Sequence, residues 1–206
     1  MKNIWLTTAL LFASASSAQG LNYDRLDVQW DKIDTASTAD ASFAGVTAAG
    51  ERLDSFGLTY VNRLKDNWLI TANYWSADGD GSVNNQAFTS DAKKISLAAG
   101  YIVEVAENQA LDFQAEIGQF RYSRSNLDQR RTNTLGAAAN YRWKVIPRLE
   151  LSTGLHYTDF RDQAFADELA AQLGIDYRFS GSMSIGASYR QYEDSNATTV
   201  RLRIAF

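Results

Sequence analysis

Beyond Asp24, apolar and polar residues alternate along almost the whole chain. Leu26, Val28 and Trp30 are separated by Asp27 and Gln29, and the same beat returns in Phe56, Leu58 and Tyr60. It continues through Trp68, Ile70, Ala72 and Tyr74, then Ile95, Leu97, Ala99, Tyr101 and Val103, then Leu111, Phe113, Ala115 and Ile117. Further runs are Leu135 to Trp143, Leu149 to Tyr157, Leu169 to Phe179, Met183 to Tyr189, and finally Val200, Leu202, Ile204 and Phe206. Residues two apart on a strand share a face, so each run predicts a strand with one apolar and one polar side. A 3.6-residue period is scarce. The stretch from Asp162 to Leu173 has helical propensity, but its alternation from Leu169 onward favours a strand.

The links between runs set the topology. Short ones fall near Arg63–Asn67, Glu104–Gln109, Ile146–Pro147 and Ser180–Ser182, and the lone Pro suits such a turn. Longer ones fall at Thr35–Gly50, Ser76–Asp91, Ser123–Arg131, Asp159–Asp167 and Tyr192–Ala197. Short and long links in alternation predict an antiparallel up-and-down β-barrel of ten strands, eight being the alternative count, with both chain ends on the short-link side. Strands of about 10–13 residues are expected, against about 9–11 needed to cross the hydrocarbon at a tilt. Aromatic residues such as Trp30, Tyr60, Trp68, Trp143 and Phe179 near run ends match the girdles of membrane barrels. Gly57, Gly100, Gly118, Gly136, Gly154, Gly174 and Gly186 share the polar parity, which reads as closure geometry or as clearance for a solute.

The mean hydropathy of −0.31 describes a water-soluble chain only if the alternation is ignored. No segment approaches 18 consecutive apolar residues, which excludes helical spans. The start of the chain is different. Lys2, the apolar run Ile4 to Phe12 and the small residues Ser16, Ser17 and Ala18 predict a Sec signal peptide, residues 1–18, cleaved before a barrel of residues 19–206. Its removal takes one lysine and no acid, changing the formal charge from −4 to −5. This acidity argues against nucleic acid as a partner. The absence of Cys excludes disulfides and thiolate metal sites.

The last strand, Thr199-Val200-Arg201-Leu202-Arg203-Ile204-Ala205-Phe206, resembles the outer-membrane insertion signal, an amphipathic strand ending in Phe. With the leader, it makes the chain similar to small Gram-negative outer-membrane barrels, the broad OmpA/OmpX-like superfamily. The resemblance implies residence in the outer membrane, periplasmic chaperoning, and recognition of Phe206 by the barrel-assembly machinery.

Candidate chemistry lies on the polar parity. Asp27, Asp112, Glu116, Glu150, Glu168 and Asp176 share it with Arg63, Lys94, Arg142, Lys144, Arg178, Arg190, Arg201 and Arg203. Ten strands enclose a narrow lumen, and buried charges there need partners. Two readings stay open: a salt-bridge network that plugs the barrel, or a narrow arginine-lined passage for small anionic solutes. The only histidine, His156, is a lumen residue on this reading. Its surroundings lack the His-x-Ser or Asp-x-His pairs of lipid-modifying or proteolytic outer-membrane enzymes, because Thr158 and Gly154 occupy the flanking positions. Arg121, Arg124, Arg130 and Arg131 cluster at a long link, where they are candidates to contact lipopolysaccharide phosphates. Asp78, Asp80, Asn84 and Asn85 would sit in an outer loop as oxygen donors, but Val83 stands where a calcium loop needs Gly. No metal or cofactor is expected. The residues favour a structural or surface-interaction barrel over a channel, and a channel over an enzyme.

Overall fold

The computed structural model describes residues 21–35, 42–43, 46–47, 52–83, 86–125, 127–162 and 165–206. The strands are β1 (Arg25–Thr35), β2 (Ser42–Phe43), β3 (Val46–Thr47), β4 (Arg52–Arg63), β5 (Trp68–Val83) and β6 (Gln86–Ala106), followed by β7 (Gln109–Arg124), β8 (Leu127–Ile146), β9 (Leu149–Phe160), β10 (Glu168–Arg178), β11 (Met183–Gln191) and β12 (Ser195–Ala205). Apart from the β2–β3 ladder, these ten strands form one closed antiparallel barrel in chain order. Closure is made by the first and last strands, in register from Arg25↔Ala205 to Thr35↔Ser195. The leader expected from the sequence, residues 1–18, and most of the link 35–50 lie outside the described residues.

Alternation places the side chains as a membrane barrel requires. Leu155 and Leu173 are 57% and 65% exposed on the outside, while Arg201 and Arg203 are buried inside. Trp30, Ile70, Leu97, Phe113, Ile117, Ile185 and Val200 extend this exposed apolar belt onto other strands. Soluble proteins rarely show contiguous apolar patches beyond a few hundred Å². Each such side chain gains about 1.5–3 kcal/mol when lipid covers it. The molecule is therefore a transmembrane up-and-down barrel of the outer-membrane type. Rings rim the belt, with Trp30 edge-on to Phe56 (6.1 Å) toward one end, and Trp68 against Tyr101 (5.4 Å) and Tyr60 stacked on Phe206 (5.9 Å) toward the other. The end carrying the chain termini is called inner, and its opposite outer.

The inner turns fall where the sequence puts them. In the β4–β5 turn Asn67 adopts a left-handed φ of 68°, which Asn tolerates better than most residues. The outer ends differ. Strands β5 to β8 run 16, 21, 16 and 20 residues, well beyond the expected 10–13. Much of the links Ser76–Asp91 and Ser123–Arg131 is therefore strand, and the two hairpins rise as a crest above the shorter β9 to β12. Asp78 to Gly81 belong to β5, pairing with Asp91 to Phe88 of β6, and Asp78 to Asp80 also with Asp54 to Arg52 of β4, rather than forming a cation loop, while Asn84 and Asn85 lie outside the described residues. The expected strand after the Asp162–Leu173 ambiguity begins at Glu168.

Candidate functional site

The lumen is filled from the inner end by ion pairs between strands far apart in sequence. Arg203 on β12 donates to both carboxylate oxygens of Asp27 on β1, at 2.9 and 3.3 Å. Its Nη1 reaches Glu150 on β9 at 3.3 Å and Asp176 on β10 at 3.7 Å. Arg201 grips Asp176 with two bonds, of 3.2 and 2.6 Å. Arg142 on β8 grips Glu150 with two, of 2.8 and 2.9 Å. Arg25 donates to Asp27 at 3.2 Å. Asp112 accepts from the amides of Gln114 (2.8 Å) and Asn140 (2.9 Å). Four arginines thus face four carboxylates, all eight well buried, and the set is formally neutral. Alternation explains the assembly: one parity on six strands aims these side chains at one axis.

Below the network the chain itself closes the inner mouth. Tyr23 is 3% exposed and packs with Val61, Leu69, Ile102 and Ala110, with Leu21 alongside. The Arg142 guanidinium lies 4.5 Å over the Tyr23 ring, and its Nη2 donates to the Asn22 carbonyl at 3.1 Å. Burial raises the Tyr23 hydroxyl above its usual pKa, so it stays neutral there. The strand-end pair Arg63–Glu104 (2.8 Å) marks the inner rim.

Midway up, charges are fewer and more dispersed. Lys94 pairs with Glu116 at 2.7 Å, and Ser96 donates to the same carboxylate at 2.8 Å. Asp31 accepts from Ser55 and Thr199, and the Trp75 indole donates to Ser55 at 2.9 Å. Arg190 donates to Gln172 at 2.6 Å and to the Tyr192 hydroxyl at 3.3 Å. Burial pushes the Tyr192 hydroxyl up to about 12, which keeps it an uncharged acceptor. These groups surround a cavity of about 330 Å³. His156 lines it, and its Nε2 has no hydrogen-bond partner among the described residues.

The outer mouth is apolar. Phe120 and Phe160 meet edge-on at 5.4 Å, and Phe165, from the β9–β10 link, joins them at 5.6 and 5.7 Å. Ile33, Leu53, Ala77, Ala92, Tyr122 and Ala197 complete this cluster, with Trp75 and Tyr192 beneath it. Its members on the strands share the parity of the lumen charges, the side the sequence pattern marks as polar within the lipid-spanning runs. The signal was present: within β7 the apolar phase switches from Ile117 to Phe120 and Tyr122, and within β9 from Tyr157 to Phe160.

The structure therefore brings together Asp112, Glu150, Asp176, Arg142, Arg201 and Arg203, with Asp27, among the expected lumen residues. Glu116, Arg190 and His156 sit higher, in separate clusters. Arg178 stands near Lys144 at the inner rim, apart from the network. Asp31, Gln114, Asn140 and the Tyr23 plug were missed. The four clustered arginines divide. Arg121 and Arg131 are paired in register on the outer surface, whereas Arg124 and Arg130 take the lumen parity of the crest, Arg124 3.2 Å over the Phe88 ring. Phe206 anchors the chain end through its backbone N–H, which donates to the Asp24 carbonyl at 3.1 Å.

The inward glycines leave room for neighbouring lumen side chains, and Gly186 does so for the network itself. A Cβ on Gly186 would collide with the Asp176 carboxylate and come within 2.9 Å of the Ile175 carbonyl. Asp176 cannot move aside while Arg201 holds both its oxygens. Gly186→Ala is accordingly expected to destabilise the barrel by about 1–3 kcal/mol, seen as a lower temperature for loss of the compact, SDS-resistant band on a gel.

Comparison with known proteins bears on the fold. The profile of a family described as "Protein of unknown function, DUF481" matches residues 25–200. No curated protein matches the chain. The beta domain of the Bordetella autotransporter BrkA is similar at TM-score 0.54 and 10% identity, covering 90% of this chain and 100% of that one. The COG4313 outer membrane channel from Pseudomonas putida F1 gives 0.52 at 14% identity, with 94% and 100% covered. The translocator domain of the autotransporter NalP from Neisseria meningitidis gives 0.52 at 10%, with 98% and 93% covered. At these identities the likeness is one of fold, an outer-membrane barrel.

Proposed function

We propose, from the premise that this chain belongs to the DUF481 family, that it is an outer-membrane barrel with a closed lumen that works through its outer surface in a structural or interaction role. One observation carries this reading. Among the described residues, the lumen holds a charge-neutral ion-pair network and a cavity of about 330 Å³, with an apolar cluster toward each mouth. A diffusion pathway needs continuous polar clearance, and hydrophobic constrictions block ions by excluding water. Catalysis has no support in a histidine without a hydrogen-bonded partner at Nε2 among the described residues. Export through a cleaved leader, chaperoning, and assembly by recognition of Phe206 complete the proposal on the sequence features that imply them.

The purified mature chain in planar bilayers is expected to show no conductance steps under applied voltage. Reproducible steps from the wild-type chain would instead favour the narrow anion passage.

A further inference from the structure

The outer rim of the barrel is electrically uneven. Above the lipid-facing belt, β1 and β4 turn outward Lys32, Asp34, Asp54 and Arg52, two of each sign, and β5 turns outward Asp78 and Asp80. The adjoining face is different. Lys93 on β6 stands directly opposite Arg121 on β7, and Arg121 directly opposite Arg131 on β8. All three share the outward parity of the exposed Ile95, Ile117 and Leu135. Among the described residues, the ion pairs that offset them come from Asp91, 3.1 Å from Lys93 and 3.6 Å from Arg121. Arg131 is exposed, with no ion pair among the described residues. Like charges directly opposite each other weaken a sheet. A row of three is held at a cost that an external anion would remove.

Height identifies the anion. Lys93 lies two residues beyond Ile95, and Arg121 four beyond Ile117. With a rise of about 3.3 Å per residue and a strand tilt of about 40°, these positions stand about 5 and 10 Å above the last exposed apolar residue of their own strands. The polar headgroup layer above the apolar belt is about 5–7 Å thick, so Lys93 lies within it and the arginines stand at its outer edge. Gln119 and Asn133, the outward pair just beneath the arginines, are exposed and add amide donors at the same level. Arginine presents a fork of N–H donors that matches phosphate oxygens. We infer that Lys93, Arg121 and Arg131 form a docking row for the phosphate groups of a phosphorylated glycolipid headgroup in the outer leaflet. The inference rests on the outer-membrane location proposed above.

The test uses the full mature chain in nanodiscs and vesicles containing bisphosphorylated lipid A, with binding read by surface plasmon resonance. The double substitution Arg121→Gln/Arg131→Gln is expected to weaken binding about tenfold or more, the loss of at least one charge-assisted contact. Arg121→Lys/Arg131→Lys should fall between, keeping the charge but not the fork. Arg130→Gln, on the lumen parity of the same crest, should bind as the wild type does. Fully dephosphorylated lipid A should bind the wild type no better than bisphosphorylated lipid binds the double variant. Unchanged affinity in the double variant overturns the inference, as does equal binding of dephosphorylated lipid. Displacement of the lipid by millimolar inorganic phosphate would also overturn it, pointing to a free-anion site. The substituted side chains lie on the surface, and retention of the SDS-resistant band verifies folding. Conductance is a separate readout, so an open lumen would sink the preceding proposal and leave this one standing.

Discussion

Replacing Arg203 by alanine is expected to lower the unfolding midpoint of the barrel by about 6–20 °C. Arg203 is, among the described residues, the one side chain that touches carboxylates on three other strands: Asp27, Glu150 and Asp176. Without it, Asp27 keeps only Arg25, and Glu150 and Asp176 each keep one guanidinium. The surplus negative charge would stay buried, and breaking a buried pair from one side costs about 3–5 kcal/mol. For a chain of this size, each kcal/mol moves the midpoint by about 2–4 °C. The position also matters. Asp27 and Arg203 face each other across the β1–β12 seam, the one contact that turns ten strands into a closed cylinder. Adding Asp27→Asn to the alanine variant should recover part of the loss, because it removes the stranded charge, giving a coupling above about 1 kcal/mol. Heat-dependent gel mobility and circular dichroism would measure both. A midpoint within about 2 °C of the wild type for Arg203→Ala would mean that water or neighbouring arginines compensate, and that the network does not hold the seam.

The pattern of the sequence exposes some of this and hides the rest, for physical reasons. Strand number, inner turns and the inward direction of Arg142, Arg201, Arg203, Glu150 and Asp176 follow from a period of two, which leaves each side chain only two directions. Which charges then meet depends on shear and register across strands, and a single strand carries no record of those. Arg178 shares the parity of Asp176 and yet sits at the rim. Parity read as apolar-outside also fails where a strand leaves the lipid. Beyond the belt the outside turns polar, as at Gln119, Arg121 and Ser123, and the inside is free to become apolar, as at Phe120 and Tyr122. A run defined by apolar-outside alternation therefore stops at Ile117 and starts at Leu135, shorter than β7 and β8, and leaves the outer plug unmarked. The adjacency of Lys93 to Arg121 and Arg131 is likewise absent from the sequence, since it exists only through the ladder.

Removing that plug is expected to open the cavity to the outer side. Phe120, Phe160 and Phe165 contact one another pairwise, so truncating any one leaves two rings able to settle into the gap. The triple alanine variant leaves none. Phe→Ala at a buried site costs about 3–5 kcal/mol in lost packing, and even a part of this is enough to shift the balance between a closed and an open mouth. If the opening cost falls by about 3 kcal/mol, the open fraction rises about 100-fold. The chain has no Cys, so a single introduced thiol reports without background. Thr158 lines the cavity one same-face step below Phe160, and Thr158→Cys places the thiol there with little change in volume. A membrane-impermeant thiol reagent added from outside should label it slowly in the otherwise unaltered barrel and about 100-fold faster with the three rings removed. Conductance should remain low in the triple variant, because Tyr23 and the network still fill the inner half; adding Tyr23→Ala should then raise it. Fast labelling of Thr158→Cys with the rings intact would show that the outer mouth is already open, and the closed lumen would have to be abandoned.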